Sequence, residues 1–176
     1  MVTSFLQMGC CSKMGGEHRL YSPDVMEYMR GGSLKSYMEK LSKRGENHVP
    51  ADLAIHIARN IACALVEVHR KHIIHRDIKS ENVLIDFDNK RADGFPVVKL
   101  SDFDRAVPSQ SFLHTCCIAH LGIHPPDICV GTPRRMAPEV LKAMNRRSLY
   151  GLEVDIWSYG CLLLELLTLQ IPEAAS

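Results

Sequence analysis

The sequence predicts an α+β fold, mainly helical, with a small sheet. Two observations point to helix. Leu53, Ile57, Ile61, Leu65 and Val68 recur every three or four residues, and residues 152–169 are apolar on nearly every side. A third points to sheet: Val83-Leu84-Ile85 and Val97-Val98-Lys99-Leu100 are short β-branched runs separated by a segment that holds Asp93-Gly94 and Pro96 as turn chemistry.

In chain order, residues 1–23 show no strong period. They read either as the remnant of a strand or as unstructured chain. Asp24-Val25-Met26-Glu27-Tyr28-Met29 reads as a strand that stops at Arg30-Gly31-Gly32-Ser33. The glycine pair breaks it, and Ser33 has the side chain to cap a helix running through Tyr37 and Met38. Lys43-Arg44-Gly45-Glu46-Asn47-His48 is a polar loop, and Pro50 opens the periodic helix, about 20 residues ending near Lys71. Residues 104–131 carry His, Cys, Pro and Ser without a period, and a long irregular stretch inside a domain is usually functional. Being apolar all round, the helix over 152–169 is expected to be buried.

Composition excludes several classes. Twenty-one basic and 20 acidic residues give a net charge of +1, which argues against a basic nucleic-acid surface or a polybasic membrane patch. The apolar run Cys161-Leu162-Leu163-Leu164 is broken at Glu165, so no transmembrane segment is expected. Seven scattered cysteines suit reduced thiols in an intracellular, cytoplasmic protein better than a disulfide framework. Met8-Gly9-Cys10-Cys11-Ser12 has something of an acylation start, but Gly9 is internal and an ordinary loop fits as well. Between 114 and 129, His114, Cys116, Cys117, His120, His124 and Cys129 offer zinc ligands, Cys117-x-x-His120 above all. Their spacing matches no standard finger, so a packed or solvent-facing loop is the competing reading.

Four further stretches occur in a telling order. His75-Arg76-Asp77-Ile78-Lys79-Ser80-Glu81-Asn82 comes first, then Asp102-Phe103-Asp104, Ala137-Pro138-Glu139, and Asp155-Ile156-Trp157-Ser158-Tyr159-Gly160. The first fills every fixed position of H-R-D-x-x-x-x-N. Together they resemble the eukaryotic protein kinases, over about Asp24 to Pro172. Lys79 marks the serine/threonine form. Gly131-Thr132-Pro133-Arg134 before Met136 resembles the tyrosine-kinase-like group common in plants. The resemblance implies a protein-kinase-like fold: a helical C-lobe, with a truncated N-lobe sheet remnant at the strand near Val25.

It also implies roles. Asp77 would accept the proton of a substrate hydroxyl, Lys79 would steady the transferred phosphoryl group, and Thr132 would hydrogen-bond both. Asn82 and Asp102 would hold Mg²⁺ against the phosphates of ATP through hard oxygen ligands. Met26, Glu27 and Met29 would line the adenine site as a hinge with Met26 as gatekeeper, and Leu84 would be its floor. Arg76 would await an anion from a phosphorylated loop, with Ser109, Ser111 and Thr115 as acceptors for an upstream kinase.

The sequence departs from the kinase pattern in places. No G-x-G-x-x-G precedes Met26. Lys13 and Glu17 are the only candidates for the strand lysine and its glutamate, and they lie too near Met26 for the elements of about 40 residues that should intervene. Glu139 lacks an arginine in the expected later position, Asp104 replaces a glycine, and Arg135 replaces an aromatic residue beside the substrate-facing loop. Two functions follow: a serine/threonine protein kinase acting on protein substrates, or a catalytically inactive fragment or pseudokinase that serves as a binding module.

Overall fold

The computed structural model describes residues 27–109, 132–140 and 150–170. Within them lie helices α1 (Leu34–Lys43), α2 (Ala51–Arg70) and α3 (Glu153–Thr168), and strands β1 (Ile73–Ile74), β2 (Val83–Lys90), β3 (Pro96–Leu100) and β4 (Val107–Pro108). Residues 1–26, the cysteine–histidine cluster over 114–129, Ser111 and Thr115 lie outside the described residues.

Helix α1 starts where the sequence placed it. The Ser33 hydroxyl accepts the Ser36 N–H at 3.2 Å, which satisfies one of the orphan donors of the first turn. Helix α2 follows Pro50 for 20 residues and buries the predicted stripe through Ile57, Ile61 and Leu65. These side chains meet Leu34 and Met38 of α1, Val83 and Ile85 of β2, and Leu162 and Leu166 of α3 in the main core. Each fully buried Leu or Ile contributes about 1.5–3 kcal/mol. Two polar ties fix α2 and the residues leading into it against α3: Tyr159 Oη donates to Ala58 O of α2 at 3.0 Å, and the N–H of Val49, ahead of α2, donates to Leu166 O at 2.8 Å.

Four expectations are corrected. The hairpin strand does not stop at Ile85 but runs to Lys90. The register shifts between Asp86 and Lys90, and Asp86 Oδ1 accepts the N–H groups of Asp88 (3.0 Å) and Asn89 (3.3 Å) across that shift. The turn itself falls at Asp93-Gly94, with Gly94 at φ +80°. The strand expected over 24–29 is not formed in its described part: 27–29 carry no strand pairing and lead into a turn closed by Gly32 N–H on Met29 O at 3.2 Å. The irregular stretch after Asp104 contains β4, which pairs with β1. Finally, α3 is not buried all round. Leu162, Glu165 and Leu166 face the core, whereas Ile156, Trp157, Leu164 and Leu167 are exposed, and Leu167 keeps 65% of its surface.

Candidate active site

Two antiparallel pairings set the site. The loop 75–82 runs from β1 to β2, and the loop 101–106 runs from β3 to β4. Because β2 pairs with β3 and β1 with β4, both ends of the two loops are held side by side. His75 joins them in the middle. Its Nε2 donates to Ser101 O at 3.1 Å, its ring meets Phe103 edge-on with centroids 4.5 Å apart, and its Nδ1 accepts the Asp77 N–H at 3.4 Å. That pattern needs the neutral imidazole. Burial pulls the His75 pKa below its ordinary value, against the opposing pull of Asp155, the Ser101 carbonyl, Asp77 and Asp102. From the other side, Ser101 N–H and Oγ both donate to Asn82 O at 2.9 Å.

The backbone of both loops is unusual where the acids sit. Arg76 has φ 66° and Asp102 φ 63°, in the left-handed region that non-glycine residues seldom enter. At Arg76 the conformation is held from below. Asp155, fully buried in the first turn of α3, accepts the N–H of His75 on one oxygen and that of Arg76 on the other, each at 2.8 Å, and His69 Nε2 lies 3.0 Å away. The Arg76 side chain donates to Arg105 O and to Tyr150 Oη (3.4 Å).

Asp77, Lys79, Asn82 and Thr132 come together in one hydrogen-bonded group. Lys79 Nζ donates to Asp77 Oδ2 at 2.7 Å and to Thr132 Oγ1 at 3.3 Å, and Thr132 Oγ1 donates to Asp77 Oδ1 at 3.2 Å. Asn82 Nδ2 donates to Asp77 O (2.9 Å) and Oδ2 (3.2 Å), which leaves its amide oxygen as the atom that can meet a cation. Asp77 is buried with only 3% of its surface exposed, and Arg105 Nε stands 3.9 Å from Oδ2. Asp102 is exposed on the neighbouring loop. An exposed carboxylate and a free amide oxygen are the hard donors that Mg²⁺ takes, with the rest of its shell left to water and phosphate, so this pair fits that ion.

The hinge candidates are placed in part. Met26 lies outside the described residues. Met29 is buried, Leu84 half-buried, and the exposed Glu27 side chain pairs with Lys99 of β3. The segment carrying Met29 docks on β2, with Ile85 N–H donating to Gly32 O at 3.0 Å and Ser33 bridging Leu84. Gly31 permits that approach, since a Cβ there would lie 1.8 Å from Ile85 O.

Three residues escaped the sequence reading. Asp155 was noted only as part of a motif; an acid opening an apolar helix was the available signal. Arg135 and Glu165 form the other missed feature. Arg135 is buried, with Nη1 donating to Glu81 at 2.9 Å and Nη2 to Glu165. Lys35 holds the other Glu81 oxygen at 3.0 Å. Burial raises the Glu81 pKa, but its backbone hydrogen bond, Lys35 and Arg135 outweigh that and bring it to about 2.

The family model for the protein kinase domain matches residues 17–176. The chain belongs to the protein kinase family. Similar proteins include serine/threonine-protein kinase ATG1a of Arabidopsis thaliana, 32% identical over 84% of this kinase chain and 20% of that protein. Serine/threonine-protein kinase CLA4 of Saccharomyces cerevisiae is 35% identical over 84% of the chain and 15% of its own length. Serine/threonine-protein kinase MRCK alpha of Homo sapiens is 31% identical over 84% and 7%. The kinase chain thus spans a fifth or less of each of these relatives. Among its described residues no helix is long and apolar enough to cross a membrane, and none of the His, Cys, Asp and Glu side chains group as a metal cluster.

Proposed function

We propose that this chain carries the phosphoryl-transfer centre of a serine/threonine protein kinase, which moves the γ-phosphoryl of ATP to a Ser or Thr hydroxyl of a protein. The observation that supports this best is the hydrogen-bonded set of Asp77, Lys79, Asn82 and Thr132. In the reaction a bond forms between the substrate oxygen and the γ-phosphorus, the bond from that phosphorus to the ADP oxygen breaks, and the hydroxyl proton passes to Asp77. Most of the catalysis is positioning and charge neutralisation.

Each side chain has a distinct part. Thr132 and Lys79 hold the two Asp77 oxygens in a fixed plane, so the carboxylate is aimed before the substrate arrives. Lys79 also brings a cation to the point where negative charge spreads over the transferred oxygens. Asn82 and Asp102 would hold Mg²⁺, which supplies charge neutralisation on the ATP phosphates. Met29, Leu84 and the Glu27 backbone, with Met26, would receive adenine. The strings Gly131-Thr132-Pro133-Arg134 and Met136-Ala137-Pro138-Glu139 favour the plant-like tyrosine-kinase-like group. Regulation would run through Arg76 and an upstream kinase acting on Ser109, Ser111 or Thr115.

The test is transfer of labelled γ-phosphate from Mg·ATP to a generic protein substrate, abolished by Asp77→Ala. Neither transfer nor a Mg·ATP-dependent thermal shift would turn the reading toward a binding module.

A further inference from the structure

We propose that Lys99 is a positioning residue for the nucleotide: through its ion pair with Glu27 it holds the backbone of residues 27–29 in place beside Leu84. The inference rests on the reading of that backbone and Leu84 as parts of the adenine site.

The β2–β3 hairpin has two faces, because side chains alternate along a strand. Val83 and Ile85 of β2 belong to the main core, and Val98 and Leu100 of β3 pack on it. Leu84 and Lys99 alternate with them and so stand on the other face. The register sets these two directly opposite each other, as a cross-strand pair. Lys99 Nζ donates from there to the Glu27 carboxylate.

Residues 27–33 are therefore tied to both strands of the hairpin. At one end the ties go to β2: Gly32 O accepts the Ile85 N–H at 3.0 Å, and Ser33 bridges Leu84. At the other end the tie goes to β3, through Glu27 and Lys99. Residues 27–29 make no strand pairing, and the chain between the two ends turns, closed by Gly32 N–H on Met29 O at 3.2 Å. A segment without a ladder takes its position from its end ties, and one of these is a side-chain ion pair. Position is what counts at 27–29, since adenine would be met there by backbone atoms, and hydrogen bonds weaken steeply with misalignment. Lys99 keeps 29% of its side chain in solvent and Glu27 keeps 55%, so water screens the pair and its effect on affinity is modest.

The test uses the full chain with two probes, adenosine and Mg·ATP. Adenosine has no phosphate, so it separates a positioned backbone from direct attraction between the ammonium and the phosphates. Lys99→Met keeps the stem and removes the charge. It should weaken both probes by one factor, about two- to fivefold by calorimetric titration, and raise KM for ATP by that factor while kcat holds. Exchange of the Gly32 amide, which closes the turn, should quicken with no ligand present. Lys99→Glu and Glu27→Lys should each weaken adenosine further, and the double variant Glu27→Lys/Lys99→Glu should restore it to within about twofold of wild type. A loss confined to ATP, a Gly32 exchange rate unchanged in Lys99→Met, or a swap that rescues nothing overturns the proposal. Leu84→Trp tests the underlying site by itself. Adenosine bound equally well by Leu84→Trp would bring down the site and the proposal with it. Adenosine lost in Leu84→Trp yet indifferent to Lys99→Met would bring down the proposal alone.

Discussion

Asp155 and Arg76 are joined across 79 residues of chain by a 2.8 Å hydrogen bond from the Arg76 N–H to Asp155 Oδ1. The second Asp155 oxygen takes the His75 N–H at the same distance. One buried carboxylate thus fixes the left-handed turn from which Asp77 emerges. Asp155→Ala would leave two backbone donors without acceptors, each costing about 1–3 kcal/mol. Chemical denaturation should show a loss of about 2–5 kcal/mol with an unchanged m-value. A loss below 1 kcal/mol would show that water replaces the carboxylate at no cost.

Gly31→Ala should separate the 27–33 segment from β2. The added methyl would fall 1.8 Å from Ile85 O, a backbone atom that cannot swing aside. Overpacking of this kind costs about 1–3 kcal/mol. Amide exchange at Ile85, which donates to Gly32 O, should quicken in the variant, and ATP affinity should fall with it.

Acid should destabilise the fold through His75. Its folded pKa is lowered, chiefly by burial, so the unfolded chain binds the proton more readily. The sign follows: the stability tied to neutral His75 is complete above the unfolded pKa, ordinarily 6.5, and is lost as pH falls from there toward the folded pKa. His75→Gln should flatten the stability profile below pH 6.5, read by urea denaturation at several pH values. A variant with the wild-type slope would place the titrating group elsewhere.

Asp102→Asn should uncouple nucleotide from metal. Isothermal titration should find wild-type ATP affinity rising with Mg²⁺, and the Asn variant losing about tenfold or more of that gain, as one carboxylate leaves the metal shell. Equal Mg²⁺ dependence in both proteins would remove Asp102 from the metal site.

What the sequence revealed depended on how local each signal was. The group around Asp77 was legible because Asp77, Lys79 and Asn82 lie on one short loop, and only Thr132 had to be brought in from afar. Helix α2 was legible because its stripe repeats on one face. The ending of β2 was not, because it turns on a side chain, Asp86, capping a shift in register. The bridge from Arg135 to Glu165 was not, because it links a loop to a helix 30 residues on and neither residue announces its partner.

The most direct measurement is the rate of γ-phosphoryl transfer by wild type and by Asp77→Asn, which keeps the shape of the side chain and removes its basicity. The account predicts a fall of about 10²- to 10⁴-fold, the usual contribution of a positioned base, with Mg·ATP affinity unchanged. Equal rates in the two proteins would contradict it.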